Sequence, residues 1–412
     1  MKIGLTLSGG GFRATVFHLG VLARLAEENL LEQVAVLSTV SGGSICGALV
    51  YAGKRFTWPT SSQFIEQVMP HARHLLTTQN LQLGLLMRAI RAPLTIFDPK
   101  ANTLSDLLQE RWGITARLNS IPKSPRWLIN ATCYESGKNW RFESFRMGDY
   151  SFGYTNDTNI PLSHAVAASS GFPVLIGPLV LDTRRHKWFK YRSTLTPMNS
   201  ETLSAANGET EEITAQGKTE QITPPFPSVH LWDGGVYDNF GLEGVFDFDT
   251  GWRHDLDFLI VSDAAGRPMP QVYRPRARSV LRLVNLMGDQ VRSLRTRAIL
   301  ERMRDPQFPG AFLQIGNTCR VVLRNSKHKD EIAKLSMLCL GDAEADLAAN
   351  TPTMIKPMSE ADFNRLFRHG FEVADYTLYA FSPQATRFFG FIQSRWMQAG
   401  SPAPAAAVNP AL

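Results

Sequence analysis

Runs of apolar residues, each followed by a cluster of small residues, dominate the first fifty positions of the chain. Residues 3–7 and 34–40 are aliphatic and β-branched, which predicts two buried strands. Apolar positions then recur at helical spacing over 14–29 and from Ile45 onward, so a helix is predicted after each strand. A strand, a tight turn and a helix repeated in this order are typical of an α/β fold.

Later apolar runs extend this pattern along the chain. Strands are predicted over 127–133, 140–145, 258–263 and 319–323, and helical patterns over 58–104, 162–170 and 359–373. Polar residues dominate about 183–228, which we interpret as a surface insertion, and the Pro- and Ala-rich residues 396–412 are predicted to be a disordered tail. The remainder, residues 1–395, is interpreted as a single domain.

Composition narrows the class of protein. A chain of 412 residues with 44% hydrophobic residues can bury a large core, and its formal net charge of +6 is only mildly basic. Its four cysteines have neither CxxC pairing nor metal-ligand spacing, so we expect no metal, no cofactor and a reducing, cytoplasmic location. No apolar run is long enough to cross a bilayer, so any membrane contact is expected to be peripheral.

Arginine is concentrated in residues 274–304, with few acids between. Two interpretations stay open for this segment: a basic helix that attracts phospholipid head groups, or a solvated face without a partner. Nucleic acid is not expected as a partner.

The turn after the second strand carries two serines, Ser41 and Ser44. Ser41 directly follows the last β-branched residue of the strand, at the corner where the chain enters the helix. A serine on such a strained turn presents its hydroxyl above the sheet at the positive end of the helix, as in a nucleophile elbow. Ser41 is the candidate nucleophile and Ser44 the alternative, although Thr39 stands where the elbow pattern has its first glycine.

A glycine loop at 8–13 joins the first strand to the first helix. A phosphate-binding P-loop would close with Gly-Lys-Ser/Thr, which is missing here, and a dinucleotide loop would need an acid at the end of the second strand, where the chain has Ser41. An oxyanion hole fits best, because parallel pairing of the two strands would bring the Gly10 and Gly11 N–H groups beside Ser41. A close-packed helix entry without chemistry stays open as the alternative.

Asp233 ends a later predicted strand and is followed by two glycines. Such an aspartate is exposed on a turn where backbone can approach closely, which suits a general base that must reach a serine hydroxyl. Asp238 and Asn239 follow in the same turn region. The alternative is an aspartate that only forms the turn.

Three blocks, in this order, resemble the signature motifs of patatin-like phospholipases, the group that includes the cytosolic phospholipase A2 catalytic domain: Ser8-Gly9-Gly10-Gly11-Phe12-Arg13, Val40-Ser41-Gly42-Gly43-Ser44 and Asp233-Gly234-Gly235. The small-residue segment 167–173, which ends in Gly-Phe-Pro, also resembles a helix of that family. One block alone would be weak evidence, whereas three in the right order are specific.

The resemblance implies a three-layer α/β/α sandwich with a mostly parallel central sheet. It also implies a lipid acyl hydrolase that cleaves carboxylic esters of phospholipids or other lipids. Carried over residue by residue, the site would comprise a nucleophile, a base and an oxyanion loop: Ser41, Asp233, and Gly9, Gly10 and Gly11 with Arg13. The chain departs from the motifs at Thr39 and at Ala14, which replaces the last glycine of the loop.

Two other classes stay open. An α/β-hydrolase with a Ser-His-Asp triad would use Asp263 with His328 or His369, although that fold places several strands before its elbow. A catalytically silent lipid- or phosphate-binding module would use the glycine loop and the arginine-rich segment. His164, a lone histidine on a helix of small residues, is interpreted as a packed or capping group. We favour the acyl hydrolase and expect it to be calcium-independent, because no calcium-binding loop precedes the three blocks.

Overall fold

The computed structural model describes residues 1–91, 100–173, 176–191, 219–266, 272, 277–324, 326–382 and 387–396. Residues 192–218 of the predicted insertion lie outside the described residues. So does the predicted tail beyond Trp396.

Twelve of the described strands join one sheet, and two others pair as a small hairpin. In chain order the strands are β1 (Ile3–Leu7), β2 (Val34–Val40), β3 (Arg126–Cys133), β4 (Asn139–Phe142), β5 (Met147–Asp149), β6 (Gly153–Thr155), β7 (Leu179–Asp182), β8 (Trp188–Tyr191), β9 (Thr219–Ile222), β10 (Ser228–Asp233), β11 (Phe246–Asp247), β12 (Gly251–Trp252), β13 (Phe258–Asp263) and β14 (Gly310–Gln314). The sheet order is β14-β13-β1-β2-β3-β4-β5-β6-β8-β9, with β10 beside β3 and β7 beside β10, while β11 pairs with β12.

Parallel pairing is confined to five neighbouring strands, β14, β13, β1, β2 and β3. The strands from β4 to β9, and β10 beside β3, pair antiparallel. The expected α/β fold is confirmed, but the predicted mostly parallel arrangement describes only this core, and the sheet as a whole is mixed. Because Leu7 of β1 lies beside Thr39 of β2, the glycine loop and the serine turn leave the sheet at the same edge.

Helices cover both faces of the sheet. They are α1 (Gly11–Glu27), α2 (Gly42–Ala52), α3 (Ser61–Gln63), α4 (Met69–Thr78), α5 (Leu81–Arg91), α6 (Lys100–Trp112), α7 (Leu162–Ser169), α8 (Gly235–Asp238), α9 (Ala277–Arg302), α10 (Cys319–Leu323), α11 (Ile332–Ser336), α12 (Asp342–Ala349), α13 (Glu360–Phe381) and α14 (Gln393–Trp396), with a π-helical turn at Phe64–Val68. Among the described helices, none combines the length and apolar character needed to span a bilayer.

Side chains alternate between the two faces along each core strand, as the pleat requires. Leu37 and Ile129 belong to the large core that includes the buried residues of α1, α2 and α13. Their neighbours Val36 and Leu128 point to the opposite face and pack in a second core with Ile299 of α9. The result is a three-layer arrangement of helices, sheet and helices.

The predicted strand at 319–323 is wrong, because this segment forms helix α10. Its β-branched residues favour a strand locally, but Cys319 and Leu323 lie one helical turn apart and are both buried. The segment packs against α13, and this tertiary contact outweighs the local preference.

Part of the predicted insertion belongs to the sheet. Trp188 of β8 is fully buried and packs edge-on against Trp140 and Phe152. β8 pairs with β6 and with β9, so residues on both sides of the undescribed 192–218 segment extend the antiparallel part of the sheet.

A buried histidine joins α1 to the ends of β1 and β13. His18 Nε2 lies 3.0 Å from the Ser8 carbonyl oxygen and therefore carries the proton, while Nδ1, 2.9 Å from Ser262 Oγ, accepts from that hydroxyl. The ring is fully buried, and burial lowers the pKa of His18 to about 4. A neutral imidazole thus fixes Ser8, the first residue of the glycine loop.

We predict that His18 makes the protein less stable as the pH falls from about 6.5 to about 4. In that range the unfolded state binds a proton at His18 that the folded state does not, so the free energy of unfolding falls, by up to about 3 kcal/mol. Chemical denaturation of wild type and His18→Gln at several pH values tests this, because the variant keeps a donor but cannot titrate.

The difference in the free energy of unfolding between wild type and His18→Gln reports on His18 alone, because the carboxylates titrate in both proteins. The exposed His74→Gln provides the matched control and should retain the wild-type pH dependence. Identical pH dependence in wild type and His18→Gln would contradict the assignment.

Candidate active site

The serine turn between β2 and α2 is strained at Ser41. This residue has φ 51° and ψ −116°, a backbone conformation that residues other than glycine rarely adopt. It is the N-cap residue of α2. Its N–H donates to Ser169 Oγ at 3.0 Å, which anchors the turn to α7. The backbone therefore has the nucleophile-elbow geometry that the sequence predicts.

Glycines after Ser41 let two backbones touch. A Cβ at Gly43 would lie 2.1 Å from the Leu7 carbonyl oxygen, and one at Gly42 would lie 2.3 Å from the Gly11 carbonyl oxygen. Only glycine fits at these positions. The start of α2 is therefore held directly against the end of β1 and the glycine loop.

The alternative nucleophile, Ser44, lies inside the protein. Its hydroxyl is 2.8 Å from Thr39 Oγ1 and 2.8 Å from Ser169 Oγ, and the side chain is fully buried. Trp127 Nε1 donates to Thr39 Oγ1 at 3.0 Å. This network explains why threonine can replace the first elbow glycine, because the Thr39 hydroxyl links strand β2 to the serine turn. In the same network the Ser44 hydroxyl supports the turn from inside the protein.

Asp233 ends β10 as a buried carboxylate. Its side chain accepts the Gly235 N–H at 2.7 Å, and the Thr132 hydroxyl donates to its carbonyl oxygen at 2.8 Å. Burial raises the pKa of Asp233 to about 6, although hydrogen bonds from the Gly235 N–H and the Ser41 side chain oppose the rise. The fold thus brings the predicted nucleophile and the predicted base together.

The glycine loop presents some of its amides toward the same edge. Gly10 and Gly11 have φ values of 144° and 59°, and among the described residues no acceptor is found for their N–H groups. Gly9 differs, because its N–H donates to the Asn239 carbonyl oxygen at 3.2 Å. The Gly9 N–H is therefore engaged with the turn after Asp233 and is not free to donate to an oxyanion, so the role of Gly9 in the loop stays a prediction.

Arg13 points away from the predicted hole. Its Nε donates to the Ala264 carbonyl oxygen at 3.2 Å, and its Nη1 to the Thr351 carbonyl oxygen at 3.0 Å. Burial lowers the pKa of Arg13 to about 10, while nearby Asp263 favours the charged form. These hydrogen bonds hold the Arg13 guanidinium against Ala264 and Thr351, so a direct part for it in the oxyanion hole, which the family resemblance implies, stays a prediction.

Asn239 lies in the turn after Asp233, and the sequence pattern predicts no role for it. Its Oδ1 lies 2.4 Å from where a Cβ on Gly9 would stand and 2.6 Å from where one on Gly235 would stand. The amide side chain thus fills the space between the glycine loop and the turn that holds Asp233. The only sequence signal was its position in the turn after the two glycines.

The residues of the alternative triad are engaged elsewhere. His328 Nδ1 pairs with Glu331 at 2.8 Å, and His369 Nε2 accepts the Gly316 N–H at 2.8 Å. Asp263 receives the Ala265 N–H and lies 3.4 Å from Arg292. Neither of these histidine nitrogens faces the serine turn.

His164 also lies outside the site, on α7. Burial lowers its pKa, and the charged groups that act on it are Asp106 and Arg117. This agrees with its interpretation as a packed group.

The fold is that of an α/β protein with a strained serine turn between strand β2 and helix α2. Residues 5–246, more than half of the chain, match the family model described as "Patatin-like phospholipase". The chain belongs to this family. No significant match was found among curated proteins.

Solved structures of a human enzyme are similar to this chain. Human GIVD cytosolic phospholipase A2 is 13% identical, with a TM-score of 0.49, over 92% of this chain and 61% of that chain. The same human protein in complex with methyl gamma-linolenyl fluorophosphonate is 15% identical, with a TM-score of 0.46, over 92% of this chain and 57% of that one. The chain therefore spans about three fifths of the length of these structures.

We predict that Gly43→Ala destabilises the protein by at least about 2 kcal/mol, because its methyl group would overlap the Leu7 carbonyl oxygen and neither backbone can move freely. Gly288→Ala on α9 is the matched control: a Cβ there meets nothing within 4 Å, so helix propensity should raise stability by about 0.5–1 kcal/mol. Thermal unfolding of both variants measures the contrast, and equal melting temperatures would refute the close approach.

Proposed function

We propose that this chain hydrolyses carboxylic esters of lipids through a Ser41–Asp233 dyad and an acyl-enzyme intermediate. The observation that carries the proposal is the position of Ser41, on a strained turn, beside the buried Asp233 carboxylate, whose pKa the Ser41 side chain lowers. Both residues border the Asn239 side chain, because a Cβ on Gly9 would stand 3.2 Å from Ser41 Cβ and one on Gly235 would stand 3.0 Å from Asp233 Oδ1. The Gly10 and Gly11 N–H groups, for which the described part of the chain offers no acceptor, support it, because they lie on the loop that contacts the serine turn.

In the first step Ser41 Oγ attacks the ester carbonyl carbon while Asp233 accepts the hydroxyl proton. The carbonyl oxygen becomes an oxyanion, which the Gly10 and Gly11 N–H groups and the N-terminus of α2 stabilise. When the intermediate collapses, the C–O bond breaks and the leaving alcohol takes the proton from Asp233. The acyl group stays on Ser41.

In the second step water replaces the alcohol. Asp233 takes a proton from water as the hydroxide attacks the acyl carbonyl, and the second tetrahedral intermediate expels Ser41 Oγ, which regains the proton. The products are a free fatty acid and the starting enzyme.

Burial raises the pKa of Asp233 and so makes its carboxylate a better general base for the Ser41 hydroxyl. A carboxylate with an ordinary pKa is a weak base for a serine hydroxyl, whereas one raised to about 6 is stronger and is still ionised near pH 7. The same buried position limits water around the reacting groups, which strengthens the hydrogen bonds to the oxyanion.

We further propose that residues 1–395 act as one catalytic domain in a cytoplasmic setting. All four cysteines are free thiols, which is consistent with a reducing location. The substrate is proposed to be a phospholipid or another lipid ester.

Labelling with a fluorophosphonate probe tests the dyad. Ser41→Ala should abolish the label, and Asp233→Asn should slow it by roughly 10²- to 10⁴-fold, because the general base is lost. Ser44→Ala should remain reactive, since Ser41 and Asp233 are unchanged in it. Hydrolysis of a lipid panel by the same proteins provides the activity readout.

A label that survives in Ser41→Ala but disappears in Ser44→Ala would move the nucleophile to Ser44. A wild-type protein without any serine-dependent label would favour the binding module. Loss of labelling in His328→Gln or His369→Gln, with Asp233→Asn still active, would favour the triad.

The pH dependence of kcat/KM should follow Asp233. Because only the ionised carboxylate can accept the serine proton, activity should fall tenfold for each pH unit below about 6. Initial rates on a soluble ester, measured where the fold is intact by circular dichroism, would test this. The residual activity of Asp233→Asn should lack the acidic limb, and a flat wild-type profile down to pH 4 would exclude Asp233 as the base.

A further inference from the structure

The glycine loop contacts a second segment besides the serine turn. This segment, residues 350–359, connects α12 to α13. A Cβ at Gly11 would lie 2.8 Å from Thr353 Cγ2 and 3.3 Å from the Met354 carbonyl oxygen. The Phe12 N–H donates to that same carbonyl oxygen at 3.2 Å. Gly11 is therefore held by residues 353–354 as well as by the start of α2.

Hydrogen bonds anchor the chain on both sides of this contact. Before it, the Thr351 carbonyl oxygen accepts from Arg13 Nη1 at 3.0 Å. After it, the Ile355 carbonyl oxygen accepts the Gln82 N–H of α5 at 3.2 Å. Because both neighbours are tied to other elements, residues 353–354 are kept against the glycine loop.

The Met354 carbonyl oxygen determines which amides at the start of α1 stay available. The first N–H groups of a helix have no acceptor within it, so each needs another partner. Met354 takes the Phe12 N–H, whereas no acceptor for the Gly10 and Gly11 N–H groups is found in the described part of the chain. The two amides left over are those that the proposed mechanism assigns to the oxyanion.

Thr353 limits the conformational freedom of the loop. Gly11 has φ 59°, and a glycine leaves such a conformation easily because it has no side chain to restrict its backbone. The Thr353 methyl group fills the space into which a side chain at Gly11 would project. Hydrogen-bond donors stabilise an oxyanion best when they are fixed before the reaction, so this packing bears on the reaction rate.

We propose that Thr353 and Met354 are positioning residues for the oxyanion hole, which hold the loop so that the Gly10 and Gly11 N–H groups point at the ester oxygen. The inference rests on the proposed function, because this oxyanion forms only if Ser41 attacks an ester. Both residues act through the loop rather than on the substrate. They lie beyond residues 5–246, which match the family model, so their role is inferred from the contacts alone.

Substitutions at Thr353 test the positioning role in the full-length chain. Thr353→Gly removes the methyl group and frees the backbone of the segment. Thr353→Val is the matched control, since valine keeps a methyl group in the place of Thr353 Cγ2. Lys356→Gly is a second control, because Lys356 is exposed in the same connection and its replacement also adds a glycine there.

Two readouts separate oxyanion stabilisation from substrate binding. The first is the pair of constants kcat and KM on a soluble ester. The second is the inhibition constant of a trifluoromethyl ketone with the same acyl chain. Ser41 Oγ adds to the ketone carbonyl carbon, the carbonyl oxygen becomes an oxyanion and the serine proton passes to Asp233, so the adduct resembles the first tetrahedral intermediate.

We expect Thr353→Gly to lower kcat about tenfold and to weaken ketone inhibition about tenfold, less than the roughly 10²- to 10³-fold loss on removing a donor outright. KM should stay within about twofold of wild type, because the lost interaction is made only in the transition state. Thr353→Val and Lys356→Gly should match wild type within about twofold in all three constants.

Wild-type kcat and ketone inhibition in Thr353→Gly would overturn the inference. So would an equal loss in Lys356→Gly, which would reflect general loosening of the segment, or a raised KM with unchanged kcat, which would indicate direct contact with substrate. If Thr353→Gly does not fold, as judged by circular dichroism, Thr353→Ser decides the question: it removes only the methyl group and should show the same pattern to a smaller extent.

Failure of the proposed function itself looks different. In that case wild type would neither hydrolyse the soluble ester in a Ser41-dependent way nor be inhibited by the ketone. Active wild type with an unaffected Thr353→Gly would instead leave the dyad in place and remove only the positioning role.

Discussion

Direct contact between two backbones determines the edge of the sheet at which the candidate active site lies. The start of α2 packs through Gly42 and Gly43 onto Gly11 and Leu7, with no side chain between them. Parallel pairing of β1 with β2 brings both turns to one edge, and the glycines then remove the last obstacle to contact. The strained conformation of Ser41 and the position of the glycine-loop amides both depend on this packing.

The buried carboxylates near this edge are of two kinds, those that lie beside an arginine and one that does not. Asp263 lies beside Arg292, and Asp238 lies 3.8 Å from Arg295. The groups that act on Asp233 are instead the Gly235 N–H and the Ser41 side chain. A neighbouring arginine would lower the pKa of Asp233 and make it a weaker base, so the ion pairs supplied by α9 belong at the other two carboxylates.

Helix α9 therefore has two consequences for the site. Its inward arginines neutralise carboxylates around the glycine loop and the turn after Asp233, which fixes the rotation of the helix about its axis. Because the rotation is fixed by these ion pairs, Met287 and Leu294 are left facing outward. The exposure of these apolar side chains thus follows from the same contacts that hold the helix in place.

The sequence by itself determined the features whose signals act over a few neighbouring residues. Apolar periodicity gave β1, β2 and their helices, and small residues beside Ser41 and Asp233 gave the turns. Which glycine amide stays unpaired, where Arg13 points and why 319–323 is helical were decided only by the tertiary structure. Their partners lie far away along the chain, and a local pattern carries no information about which distant group will compete for a hydrogen bond or cover an apolar side chain.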